Sequence, residues 1–112
     1  MKILENERSM MIYEQDEFTY LISYKTPIAK VSNTIETNTK KQNNYGIYLT
    51  NDWDYSQTTL KQLYNFIKLY TTQRDETGNM IGYMLGQKAN KKEYIKKLIQ
   101  DGFIKIINKE DF

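Results

Sequence analysis

Phe18-Thr19-Tyr20-Leu21-Ile22-Ser23-Tyr24 is the run whose reading decides the fold. It is dense in aromatic and apolar side chains of the kind that suit a pleated, half-buried surface. Successive side chains of a strand point to opposite faces. Phe18, Tyr20, Ile22 and Tyr24 therefore share one face, and Thr19, Leu21 and Ser23 share the other. Thr19, Ser23 and the following Lys25 make the second face look wet, so the aromatic face is expected to meet a helix and form the core. Two other uses of that face compete with this one. It would serve as a hot spot for a protein partner, or as a stacking platform for bases.

Outward from this run, residues 10–14 are apolar and suit a strand, and Gln15-Asp16-Glu17 has the length of a hairpin loop. On the other side, Thr26-Pro27 interrupts the pattern, because Pro27 has no N–H to give a ladder and marks a strand start or an edge. Residues 28–31 and 45–50 then read as two more strands, which makes the first half a small antiparallel meander. Between them, residues 32–44 are nearly all Thr, Asn, Lys and Gln, with Ile35 the one apolar side chain, and read as an extended hairpin tip. Asn51-Asp52-Trp53-Asp54-Tyr55 is the connector. Residues 56–59 offer N-caps to a helix over about 58–72, whose stripe is Leu60, Leu63, Tyr64, Ile67 and Tyr70, widened by Phe66 and Leu69.

After a polar loop at 73–79, residues 80–85 are apolar but set among Gly78, Gly82 and Gly86, and suggest a short strand or a packed loop. Asn90 precedes Glu93 in a capping-box pattern, and Tyr94, Ile95, Leu98 and Ile99 form the buried stripe of a second helix. Asp101-Gly102 stops it, and residues 103–107 read as a last strand. The expected fold is α+β: a small antiparallel β-meander covered by one helix, followed by a second, basic helix and a C-terminal strand. The 112 residues suit one domain, with a strand-rich module and its helix over 10–72 and a basic helix-strand extension over 73–112.

Composition excludes several chemistries. The chain has neither Cys nor His, which rules out disulfides, thiolate sites, and imidazole as base or zinc ligand. No apolar run approaches the roughly 18 residues of a membrane span, and Met1-Lys2-Ile3-Leu4-Glu5 lacks the apolar core of a signal peptide. The expectation is a cytoplasmic protein with no membrane partner and no cofactor. Mean hydropathy is −0.74, so the ten Tyr, four Phe and one Trp must carry much of the core. Net charge is only +2, but residues 1–20 hold five acids against Lys2 and Arg8, and residues 88–109 hold seven lysines against Glu93 and Asp101. Ends of opposite sign also allow pairing in a homo-oligomer.

The chemical candidates are few. Asp52 and Asp54 flank Trp53 and would suit acid–base work or a hard cation, but a polar turn around an anchoring Trp accounts for them better. Ser56, Thr58 and Thr59 would need Lys61 or a carboxylate as base, and capping explains the same hydroxyls. The glycines do not match a phosphate loop. Lys91, Lys92, Lys96 and Lys97 alternate with Tyr94/Ile95 and Leu98/Ile99, giving the second helix a basic face and a buried one. That face is either solvated surface or a patch for phosphates or an acidic protein.

Tyr20-Leu21-Ile22-Ser23-Tyr24, Thr26-Pro27-Ile28-Ala29, Trp53, Ser56, Thr58-Thr59 and Phe66 resemble a family of small uncharacterised proteins encoded by phages of Gram-positive bacteria. The resemblance covers about residues 10–70. It implies a phage or prophage gene and supplies no residue roles. Small phage proteins without catalytic residues often bind and disable host machinery. The expectation is therefore a non-enzymatic, anti-CRISPR-like inhibitor that binds a host protein or ribonucleoprotein complex, such as a CRISPR effector. Its contact residues would be Lys40, Lys41 and Asn43 in the polar loop and Lys91, Lys92, Lys96 and Lys97 on the second helix. The alternative is a phage regulator that binds nucleic acid through the basic helix.

Overall fold

The computed structural model describes residues 1–33 and 46–112. Among these residues six strands form one sheet in chain order: β1 (Lys2–Glu7), β2 (Met10–Gln15), β3 (Phe18–Ser23), β4 (Thr26–Ser32), β5 (Ile47–Leu49) and β6 (Lys105–Ile106). β1 to β5 pair antiparallel, and β6 joins β5 in parallel. The helices are α1 (Gln57–Tyr70), α2 (Ile81–Gln87) and α3 (Lys91–Gln100). The fold is α+β, with the meander under α1 and the basic helix in α3, as the sequence suggests. β1 is an addition at the edge.

The register places one apolar row on the inner face, Ile12–Leu21–Ala29–Leu49–Ile106, crossing β2 to β6. α1 lies against β3 and β4 and contributes Leu60, Leu63, Phe66 and Ile67 to the same cluster, which also holds Trp53, Tyr94, Ile95, Leu98, Phe103 and Ile104.

The face of β3 that meets the helix is therefore Thr19, Leu21 and Ser23, all buried, and not the aromatic face. The expected core assignment is reversed. The reason is size and pairing. Small side chains let α1 sit close to the sheet, and their hydroxyls find partners. Thr19 Oγ1 donates to Asn33 Oδ1 at 2.7 Å, and Ser23 bonds Thr59 and Gln62 of α1. A buried hydroxyl with a partner costs little, so the wet appearance of these residues misled.

Two further expectations need correction. Met80 makes a single bridge to Arg74, but residues 81–85 are neither strand nor loop: Ile81 and Leu85, four apart and buried, face the core from helix α2. Gly82 lets α2 approach α1 so closely that a Cβ there would lie 2.8 Å from the Lys68 Cα. The last strand is shorter than 103–107. Gly102 turns at φ 85°, the Gly102 and Phe103 N–H groups donate to the Ile99 and Leu98 carbonyls, and Phe103 and Ile104 drop straight into the core.

The caps form as the sequence indicates. Ser56 Oγ accepts from the Thr59 N–H at 3.1 Å, and Asn90 Oδ1 from the Glu93 N–H at 3.2 Å.

Candidate functional site

The strand pairings also build a row on the outer face of the sheet. Tyr13 of β2 lies opposite Tyr20 of β3, which lies opposite Lys30 of β4, then Tyr48 of β5 and Lys105 of β6. Phe18 flanks this row from β3, and Phe112 reaches it from the C-terminal 3₁₀ turn. Lys30 sits in the middle of the rings. Its Nζ is 4.4 Å from the Phe18 centroid, 5.6 Å from those of Tyr48 and Phe112, and 5.8 Å from that of Tyr20. Tyr13 and Tyr20 stack at 4.8 Å, and Phe18 meets Tyr48 edge-on at 5.9 Å. The rings and Lys30 are half-buried, and Lys105 is exposed.

The electrostatics follow from this packing. Burial pulls the Lys30 ammonium below the usual lysine pKa, while the ring faces around it favour the cation. Burial pushes the Tyr13 phenol up, and the Tyr20 phenol up with help from Tyr13 and Asp16. Both hydroxyls stay protonated at neutral pH and can donate to a partner. The rings spend their faces on each other and on Lys30. Half-exposed rings, three of them tyrosines with a hydroxyl, around one ammonium suit the mixed apolar and polar surface of a protein.

The residues singled out from the sequence lie elsewhere. Lys40, Lys41 and Asn43 fall outside the described residues. The four α3 lysines are exposed or half-exposed, and each has an intramolecular contact. Lys92 pairs with Asp54 at 3.6 Å, Lys96 with Glu93 at 3.6 Å and Lys97 with Glu76 at 3.3 Å, while Lys91 Nζ donates to the Lys88 carbonyl at 3.0 Å. Asp52 binds Lys109 at 2.7 Å. Asp52 and Asp54 therefore diverge to two different lysines, and buried Trp53 anchors the turn between them. Among the described residues, no group of three His, Cys, Asp or Glu could hold a metal ion. Among those residues, too, no helix is long and apolar enough to cross a membrane.

Tyr13, Lys30, Tyr48 and Phe112 went unnoticed in the sequence. The signal was present in part: Lys30 alternates with Ala29 and Val31, so it must face away from them. The register that sets it among four rings is a tertiary fact.

The model of a family of unknown function, DUF8033, matches residues 1–83. The chain belongs to that family. No curated protein and no solved structure matches it. The DUF8033 match takes in β1 to β5, α1 and the start of α2. It thus contains Tyr13, Phe18, Tyr20, Lys30 and Tyr48, and leaves α3 with its lysines outside.

Proposed function

We propose that this DUF8033 protein is a non-enzymatic binding protein that docks a protein partner on the outer aromatic face of its sheet. The observation that carries the reading is the row Tyr13–Tyr20–Lys30–Tyr48, half-exposed on a surface that the core does not use. Tyrosines supply large, rigid contact area with a polar tip, the residue chemistry of interface hot spots. Lys30 at the centre selects against a second copy stacked face to face, because a two-fold axis there would bring two ammonium groups together. It favours a different protein that offers a carboxylate among apolar groups.

The phage resemblance supplies a setting for such a binder. In that setting the partner is a host defence nuclease of the CRISPR type, held by stoichiometric binding in the cytoplasm. The absence of catalysis is supported by the chain's own residues. It lacks His and Cys, Asp52 and Asp54 are ion-paired, Ser56 caps α1, and the Thr59 hydroxyl is bonded to Ser23 and Ser56.

The test is phage plating on a CRISPR-immune host with and without the gene. Wild type is expected to restore plaques, and a folded Tyr20→Ser/Tyr48→Ser variant is not. Unchanged immunity with wild type removes inhibition of that system, and full activity in the variant removes the face. A second reading, a nucleic-acid-binding regulator, keeps one observation in its favour. The α3 ion pairs are exposed, and phosphates would compete for those lysines easily.

A further inference from the structure

Two hairpin turns meet at one end of the sheet. Arg8-Ser9 joins β1 to β2, Tyr24-Lys25 joins β3 to β4, and the Tyr24 N–H donates to the Ser9 carbonyl at 2.9 Å. Ser9 is held from below, since its hydroxyl accepts from Gln62 Nε2 of α1 at 3.1 Å. The turns border an open surface concavity of about 560 Å³, whose lining includes Glu7, Arg8, Met11, Ile22, Tyr24 and Lys25. That is within the size range of small-ligand sites.

Three observations point to a ligand there. First, Tyr24 and Lys25 both hold positive φ, 49° and 67°. A two-residue hairpin of this kind normally carries Asn-Gly, which takes such angles without strain. Retaining Tyr and Lys at a cost in stability implies that their side chains are needed in place. Second, Arg8 and Lys25 form no ion pair among the described residues, in contrast to Lys92, Lys96 and Lys97 of α3. Third, Tyr24 is 57% exposed and has no ring partner among the described residues, unlike the stacked Tyr13 and Tyr20. Its π-face is free. Met11 and Ile22, paired across β2 and β3, add an apolar floor beside it. Glu7 is the acid that faces these groups, and the two cations exceed it by one.

We infer that this corner binds a nucleotide unit, with the phosphate taken by Arg8 and Lys25 and the base laid on Tyr24 over Met11 and Ile22. A guanidinium and an ammonium together suit a doubly charged phosphate, and a free tyrosine face is what a base requires. The unit is either a free mononucleotide or one nucleotide of a single strand. The inference stands apart from the protein-docking face and does not depend on it.

The full chain is titrated calorimetrically with uridine monophosphate, inorganic phosphate and oligothymidylate. Saturable binding of the mononucleotide, the oligonucleotide or both is expected. Arg8→Ala should weaken it about tenfold. Tyr24→Asn should weaken nucleotide binding while sparing inorganic phosphate. Lys25→Gly should melt above wild type, because the strain is relieved, and yet bind more weakly. Tighter binding of the oligonucleotide identifies a strand as the source, and equal binding identifies the free nucleotide. Absence of saturable binding by both overturns the inference. So does unchanged binding in Arg8→Ala and Lys25→Gly variants whose melting curves show them folded.

Discussion

Asp75 shows how one residue sets a pH limit. Its side chain is buried, and it accepts hydrogen bonds from the Thr77 N–H, the Thr77 hydroxyl and, at 2.8 Å, the Tyr94 hydroxyl. Burial alone would raise its pKa, but these bonds outweigh it and hold the carboxyl below the ordinary value. The folded state therefore gains from the carboxylate above the unfolded pKa of about 4, and loses that gain as pH falls through the lower folded value. Tyr94 sets the opposite limit. Burial, then the bond to Asp75, raises its phenol. Its contribution is complete below about pH 10 and is lost as pH rises through the folded value. Asp75→Asn should flatten the acid side of a stability–pH profile measured by urea unfolding. Tyr94→Phe should cost about 1–3 kcal/mol near neutrality, since it removes a donor from a buried carboxylate. A Tyr94→Phe protein as stable as wild type would show that the bond contributes nothing net.

At the scale of elements, α2 turns on two glycines with opposite expected outcomes. A Cβ on Gly82 would lie 2.8 Å from the Lys68 Cα and 3.2 Å from the Ile67 carbonyl oxygen, both backbone atoms of α1 that cannot swing aside. Gly82→Ala should destabilise by about 1–3 kcal/mol despite the better helix propensity of Ala. A Cβ on Gly86 meets nothing within 4 Å, so Gly86→Ala should stabilise by about 0.5–1 kcal/mol. Thermal melts of the pair check both signs at once. The same glycines explain why α2 was illegible in the sequence. Three glycines around a short apolar run argue against a helix on propensity, and only packing against α1 overrides that. The caps of α1 and α3 were legible because they depend on residues three apart. The faces of β3 were not: alternation divides the side chains correctly, but which face is buried depends on what α1 can fit over, and there Thr19 and Ser23 won over the rings.

The whole molecule has two unlike sides, helices over an apolar row on one and rings around Lys30 on the other. The basic end, distinct in the sequence, is partly paired within the fold, while of the acidic start Glu5 finds a partner. Glu5 accepts from the Tyr70 hydroxyl at 2.8 Å, and Lys92, Lys97 and Lys109 reach back to Asp54, Glu76 and Asp52. These pairs are largely exposed, so each is worth about 0–1 kcal/mol. Their loss should not unfold the chain, and that makes α3 a clean place to separate the two binding readings. A Lys91→Gln/Lys92→Gln/Lys96→Gln/Lys97→Gln variant should melt within a few degrees of wild type. If partners dock on the aromatic face, it keeps its effect on phage plating. If α3 carries nucleic acid, binding in a gel-shift assay falls steeply and its salt dependence becomes shallower, because each lost phosphate contact removes a released counterion. Retained plating activity together with weak, salt-insensitive DNA and RNA binding places the function on the sheet.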